Sequence, residues 1–160
     1  MILKSNSFLF YYQTAIGTLG IAEENGKLTH VNINTQKLPI GYIQQETPLL
    51  AEAARQINEY LSGRRKEFNL PLAPKGTPFQ TKVWAALQTI PYGETATYKD
   101  IALKVGSPLG FRAVGMANNK NPIGIVIPCH RVIGCNGKLV GYAGGLDVKA
   151  KLLDLEQTHK

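Results

Sequence analysis

The chain has 160 residues, 44% hydrophobic and 18% charged, which is enough to bury a core and too apolar for disorder. Its longest clean apolar run, Ile123 to Ile127, is too short to span a bilayer, no secretory signal is legible at the start, and two cysteines are too few for a disulfide scaffold. The net charge of +7 is uneven: residues 1–74 carry seven Lys/Arg against six Asp/Glu, and residues 75–160 carry eleven against five, so an anionic partner, nucleic acid first, is sought on the second half.

Phe8 to Thr14, Thr18 to Ala22 and Leu28 to Ile33 read as strands. The last two flank Asn25-Gly26, the strongest short-range hairpin signal. Three strands with one apolar face need a helix across them. Thr47 as N-cap and Pro48 as first helical residue open that helix. Leu50, Ala53, Ala54, Ile57 and Leu61 recur at helical spacing, and Gly63 ends it. Arg64-Arg65-Lys66 reads as a solvated loop. Pro71 to Gly76 reads as a linker, at the point where the charge balance shifts, giving domains at 1–74 and 75–160.

The second half is mostly helical by pattern. Thr77-Pro78-Phe79-Gln80 is a capping box with proline at the first helical position, and Phe79, Val83, Ala86, Leu87 and Ile90 make the buried stripe. A second helix is expected over roughly Thr95 to Val105, broken by Gly106-Ser107-Pro108-Leu109. A third is expected from about Gly110 to Asn119, ended by Asn121-Pro122. Two short helices joined by a glycine-containing turn match a helix-turn-helix, with Arg112 and Lys120 carried towards a groove.

Ile123 to Ile127 reads as a buried strand running into Pro128-Cys129-His130-Arg131-Val132-Ile133. A free thiol, with a pKa of about 8.5, is only slightly ionised at neutral pH, so a reactive cysteine needs a base. The base in turn needs a carboxylate to hold its tautomer. His130 is the candidate base; Asp154 and Glu156 are both candidates for the carboxylate, and spacing does not choose between them. Neighbours on a strand point to opposite faces, so an inert buried cysteine is the competing reading. Cys129, His130 and Cys135 match no standard zinc spacing; no metal and no cofactor are expected. A reducing cytoplasm is the expected compartment, with no membrane partner.

Pro128-Cys129-His130-Arg131-Val132, preceded by Asn121-Pro122, resembles the active-site signature of the O6-alkylguanine-DNA alkyltransferases, also called methylated-DNA–protein-cysteine methyltransferases. Phe79-Gln80, Val83-Trp84, Ile90-Pro91-Tyr92-Gly93, Tyr98, Arg112-Ala113-Val114-Gly115, Tyr142 and Gly144-Gly145-Leu146 fall in family order and spacing. The resemblance is strong over residues 76–157 and looser over residues 1–75. It implies an α+β protein: a small N-terminal α/β domain of RNase H-like type with a hairpin and a helix, then a mostly helical, winged helix-turn-helix domain.

The resemblance also implies an enzyme that acts once, moving an alkyl group from O6 of guanine in double-stranded DNA to Cys129 after the base has been flipped out. O4-alkylthymine is a further candidate lesion. His130 would take the thiol proton through a water, with Glu156 completing the relay. Tyr98 would donate to the guanine ring and face a phosphate, and Asn121 would act as a hinge. The carbonyls of Cys129 and Val132 would hold the guanine amino group, the Ala143 backbone would donate to O6, and Tyr142 and Trp84 count among the substrate-binding residues. The DNA contacts implied are Arg112, filling the hole left by the base, with Ala113, Gly115, Tyr98, Lys120 and Arg131, from a recognition helix in the minor groove. A monomer is implied, with clustering on DNA left open. Gly124 stands where mammalian members have proline, which implies weaker reaction with bulky benzyl-type inhibitors.

Overall fold

Strand alternation and two tight turns build the first half. The computed structural model describes residues 6–33 and 38–160. It divides into two compact units, one of residues up to Lys75 together with Pro122–Val126, the other of Gly76–Asn121 and Ile127–Lys160. In the first unit, β1 (Ser7–Thr14), β2 (Gly17–Glu24) and β3 (Lys27–Ile33) are antiparallel, and the short β4 (Ile43–Gln44) adds in parallel to β1, giving the order β3-β2-β1-β4. The Asn25-Gly26 turn has positive φ at both residues, 53° and 79°, the backbone a type I′ hairpin demands. The central strand β2 is buried on both faces. Helix α1 (Pro48–Leu61) packs on β1, β2 and β3 and brings Leu50, Ala53, Ile57 and Tyr60 into the core with Leu19, Ile21, Leu28 and Val31. A separate small cluster of Leu9, Ala22 and Tyr42, flanked by Leu38, fills the other face.

Thr47 caps α1 as expected. Its hydroxyl accepts from the Leu50 N–H at 3.2 Å and donates to the buried Glu23 carboxylate. Pro71 to Ala73 does not run free. Leu28 donates to the Pro71 carbonyl at 2.9 Å and Ala73 donates to the Leu28 carbonyl at 2.8 Å, so this segment covers the open edge of β3.

The second unit carries α2 (Pro78–Leu87), β5 (Ala96–Thr97), α3 (Tyr98–Lys104), α4 (Phe111–Asn119), a 3-10 turn at Cys129–Arg131, β6 (Val132–Ile133) and α5 (Leu146–His159). The Thr77–Gln80 capping box is formed in both directions. Helix α3 starts later than the pattern predicts. Thr97 is its N-cap and Asp100 completes a second capping box, so Ala96 and Thr97 are left to pair in parallel with Val132 and Ile133. Helices α3 and α4 pack on each other across the Gly106 turn, where φ is +77°, as a helix-turn-helix requires. This is the α+β architecture expected: a sheet-and-helix unit and a helical unit that carries one short parallel strand pair.

Ile123 to Ile127 is not a strand. Ile123 makes one parallel bridge with Val31. The Gly124 N–H donates to the Val31 carbonyl at 3.0 Å, and Val126 then donates back to the Gly124 carbonyl at 2.7 Å in a tight turn. Ile125 sits at φ +69°, a costly conformation for a β-branched residue. Its side chain is only 1% exposed, and that burial offsets the backbone cost. An apolar run bounded by Pro122 and Pro128 thus signals burial here without signalling a strand.

Candidate active site

The cysteine is delivered by a change of backbone direction. Pro128 has φ −81° and ψ 63°, and the Cys129 N–H donates to the Ile127 carbonyl at 2.8 Å. One 3-10 turn follows. Its three residues per turn send Cys129, His130 and Arg131 in three directions rather than to two opposite faces. All three are buried: Cys129 is 5% exposed, His130 0% and Arg131 7%.

Helix α5 supplies the carboxylate. Val148, Lys149, Leu152 and Glu156 form its buried stripe, while Asp154 is exposed, which decides between the two candidates. His130 Nε2 lies 2.7 Å from Glu156 Oε2. A carboxylate at that distance fixes the imidazole proton on Nε2 and leaves the lone pair on Nδ1, which is buried. Glu156 is itself held on several sides. Oε1 accepts from the Gly93 N–H at 3.0 Å and from Arg131 Nε at 2.8 Å, and Oε2 accepts from Arg131 Nη2 at 3.0 Å. Burial lowers the His130 pKa, against the pull of Glu156, and burial raises that of Cys129, against a hydrogen bond from Asn121 and the charge of Lys149. The resting site is therefore biased towards thiol and neutral imidazole.

Asn121 Nδ2 donates to the Ile127 carbonyl at 2.9 Å, so the residue after the α4 C-cap grips the chain entering the cysteine turn. Tyr98, first in α3 and half-buried, donates to the Val140 carbonyl at 2.8 Å. Burial and then the Cys129 charge raise its pKa. The Tyr142 hydroxyl is buried with no hydrogen-bond partner among the described residues, and its pKa is raised by burial and by Cys129. Tyr98 and Tyr142 therefore both lie within electrostatic reach of the thiol. The Val132 carbonyl accepts from Lys149 Nζ at 2.6 Å, while Ala143 is exposed.

On α4, Arg112 and Ala113 are exposed near the N-terminus and Lys120 is exposed at its C-cap. Gly115 faces the Tyr98 ring: a Cβ there would stand 3.8 Å from it. Two expected site residues are corrected by the structure. Trp84 is 2% exposed and its indole N–H donates to the Ala117 carbonyl at 2.8 Å, so it joins α2 to α4 inside the core and offers no face to a substrate. Arg131 is turned inward onto Glu156 and the Ile90 carbonyl, at 2.7 Å, and so cannot serve as a DNA contact.

Three functional neighbours were not anticipated. Lys149, with no exposed surface, donates to the carbonyls of Val132, Val140 and Gly141 at 2.6, 3.0 and 3.4 Å. Asn118 Nδ2 donates to the Cys129 carbonyl at 3.3 Å. Gly93, at φ +79°, presents its N–H to Glu156. The Lys149 signal is faint but present, since Glu156 falls at i+7 from it on one helix face.

Comparison with known proteins matches this arrangement. Residues 78–158 match the family model described as 6-O-methylguanine DNA methyltransferase, DNA binding domain, and residues 9–74 match its ribonuclease-like domain. The methylated-DNA–protein-cysteine methyltransferase of Methanosarcina barkeri is 50% identical over 151 residues, covering 92% of this chain and 95% of that protein. The constitutive protein of the same name from Bacillus subtilis is 50% identical over 157 residues, with the same coverage. The structure of Mycobacterium tuberculosis OGT in complex with DNA superposes with a TM-score of 0.89 at 42% identity, covering 95% of this chain and 94% of that one. The chain belongs to the 6-O-methylguanine DNA methyltransferase family. No helix among the described residues is long and apolar enough to cross a membrane.

Proposed function

We propose that this chain repairs double-stranded DNA by moving an alkyl group, methyl first, from O6 of guanine onto Sγ of Cys129, once and irreversibly. The observation that carries this is the buried Cys129-His130-Glu156 constellation, with His130 Nε2 2.7 Å from Glu156, in a chain of this family. The C–O6 bond breaks as the C–Sγ bond forms. The thiol proton passes to His130 Nδ1, by way of a water, and the departing guanine anion takes up a proton in turn, so the net change is thiol plus alkylguanine to thioether plus guanine. No cofactor enters this balance.

Tyr98 would be the donor to the leaving base, its hydroxyl exchanging the Val140 carbonyl for the guanine ring. Asn121, gripping Ile127, ties the recognition helix to the cysteine turn. The carbonyls of Cys129 and Val132, the Ala143 backbone and Tyr142 would frame the flipped base. Arg112, exposed at the start of α4, would occupy the gap in the duplex, with Ala113, Gly115 and Lys120 along the minor groove. The division proposed is residues 1–74 as an N-terminal domain and 75–160 as the domain carrying the chemistry, with Lys75 and Pro122–Val126 grouping with the first in the fold. A thiol that must stay reduced until used suits a reducing cytoplasm.

The test is intact mass and peptide mapping after mixing the protein with a duplex carrying O6-methylguanine. One methyl per protein, on the Cys129 peptide, is expected. Cys129→Ala should abolish transfer while DNA affinity stays within about twofold, because a thiol adds little to a backbone-dominated interface. No added mass with tight lesion binding would replace transfer by lesion sensing.

A further inference from the structure

Resting on that reading of Cys129 and His130, we infer that Arg131 is a positioning residue of the relay: it is the counter-charge of Glu156, which keeps His130 a neutral base until the lesion arrives. The geometry is specific. Arg131 binds both carboxylate oxygens, Nε to Oε1 at 2.8 Å and Nη2 to Oε2 at 3.0 Å. The fork is held from behind by the Ile90 carbonyl on Nη1 at 2.7 Å and by the Tyr92 ring, 5.7 Å from the guanidinium carbon.

The charges acting on His130 are Glu156 and Lys149 from α5 and Arg131 from its own turn, and Tyr92, from the turn after α2, faces Glu156 and Arg131. A buried carboxylate beside an imidazole with no other cation would be neutralised by protonating the imidazole. Arg131 already supplies that positive charge, through a bidentate pair that a guanidinium makes and an ammonium cannot. A proton on His130 would then add a second positive charge to a buried group that is already balanced, with Lys149 nearby. The imidazole therefore rests neutral and can take the thiol proton on Nδ1. The consequence suits a protein that reacts once. A permanent thiolate–imidazolium pair would expose the cysteine to any electrophile, whereas a neutral pair holds it in reserve.

The sign of the effect follows. Removing the Arg131 charge makes the protonated imidazole easier to form, so the His130 titration moves to higher pH. Arg131 does not figure among the charges acting on Cys129, so the thiol itself changes less. The balance then tips towards thiolate and imidazolium at neutral pH.

The test is the titration of His130, followed by NMR of the imidazole ring in the full chain, for wild type, Arg131→Gln and Arg131→Lys. Glutamine keeps a donor for Glu156 without the charge; lysine keeps the charge without the fork. Wild-type His130 is expected to titrate below the ordinary histidine range, a result that needs no variant. Arg131→Gln should raise that midpoint by about one pH unit or more, and Arg131→Lys should stay near wild type. Iodoacetamide alkylation of the Cys129 peptide near pH 7, read against the Cys135 peptide as internal reference, should be about tenfold faster in Arg131→Gln. A wild-type midpoint at or above the ordinary range, or equal shifts in the two variants, overturns the inference. If mass mapping places no methyl on Cys129, the function proposed above fails, and the His130 titration still decides the role of Arg131.

Discussion

Lys149 is the residue whose burial demands most explanation, because a lysine with no exposed surface is rare unless its charge is fully used. Its ammonium spans the Val132 carbonyl on one side and the Val140 and Gly141 carbonyls on the other, so it ties together the two ends of the 133–139 loop. It also adds a positive charge that favours the Cys129 thiolate. Lys149→Met fills the same volume but leaves the Val132 and Gly141 carbonyls without that donor, a loss of about 1–3 kcal/mol. The expected outcome is a lower Tm together with slower iodoacetamide alkylation of Cys129 at neutral pH; an unchanged alkylation rate would confine Lys149 to the loop. Cys129, His130 and Glu156 were legible in the sequence because a motif preserves residue type and order. Sidedness was not. Trp84 and Arg131 sit in the same matched segments, yet the packing of α2 on α4 takes one indoor and the Glu156 carboxylate takes the other. Lys149 was illegible because its partners are carbonyls, which carry no residue identity.

Elements declare themselves where local chemistry suffices and hide where it does not. The caps at Thr47 and Thr77 and the Asn25-Gly26 turn were readable, since each is completed within four residues. The Thr97–Asp100 capping box was equally readable and would have shifted the start of α3 by three residues from the expected Thr95. Two-residue strands such as β4 and β6 depend on a distant partner and leave no periodic trace. The turn at Pro91-Tyr92-Gly93 links this scale to the chemistry. Gly93 combines a φ of +79° with an N–H aimed at Glu156 Oε1, and a Cβ there would come within 2.9 Å of the Lys160 Cβ. Gly93→Ala is expected to cost about 1–2 kcal/mol from the backbone alone, lowering Tm by roughly 2–4 °C per kcal/mol. It should also slow alkyl transfer, because the carboxylate loses one of its anchors. A variant with wild-type Tm and rate would show that the turn relaxes without disturbing Glu156.

At the scale of the whole molecule the charge has to be counted by where it lies. Residues 76–160 carry ten Lys/Arg against five Asp/Glu. Arg131, Lys149 and Glu156 are buried and used internally, which leaves eight exposed cations against four exposed anions for a polyanion to meet. Arg112 is one of those eight, and its two possible duties are separable. A phosphate contact contributes charge alone, so its loss should weaken binding to duplex and single-stranded DNA alike and reduce the salt slope by about one unit. A side chain that fills the gap left by a flipped base acts only where there is a stack to fill. Arg112→Ala is therefore expected to slow repair of O6-methylguanine in a duplex about tenfold or more, while repair of the same lesion in a single-stranded oligonucleotide changes by less than about threefold. Arg112→Lys, which keeps the charge and loses the planar guanidinium, should restore the salt slope without restoring the duplex rate. Equal slowing on both substrates, or full rescue by lysine, would reduce Arg112 to one more cation on a basic surface.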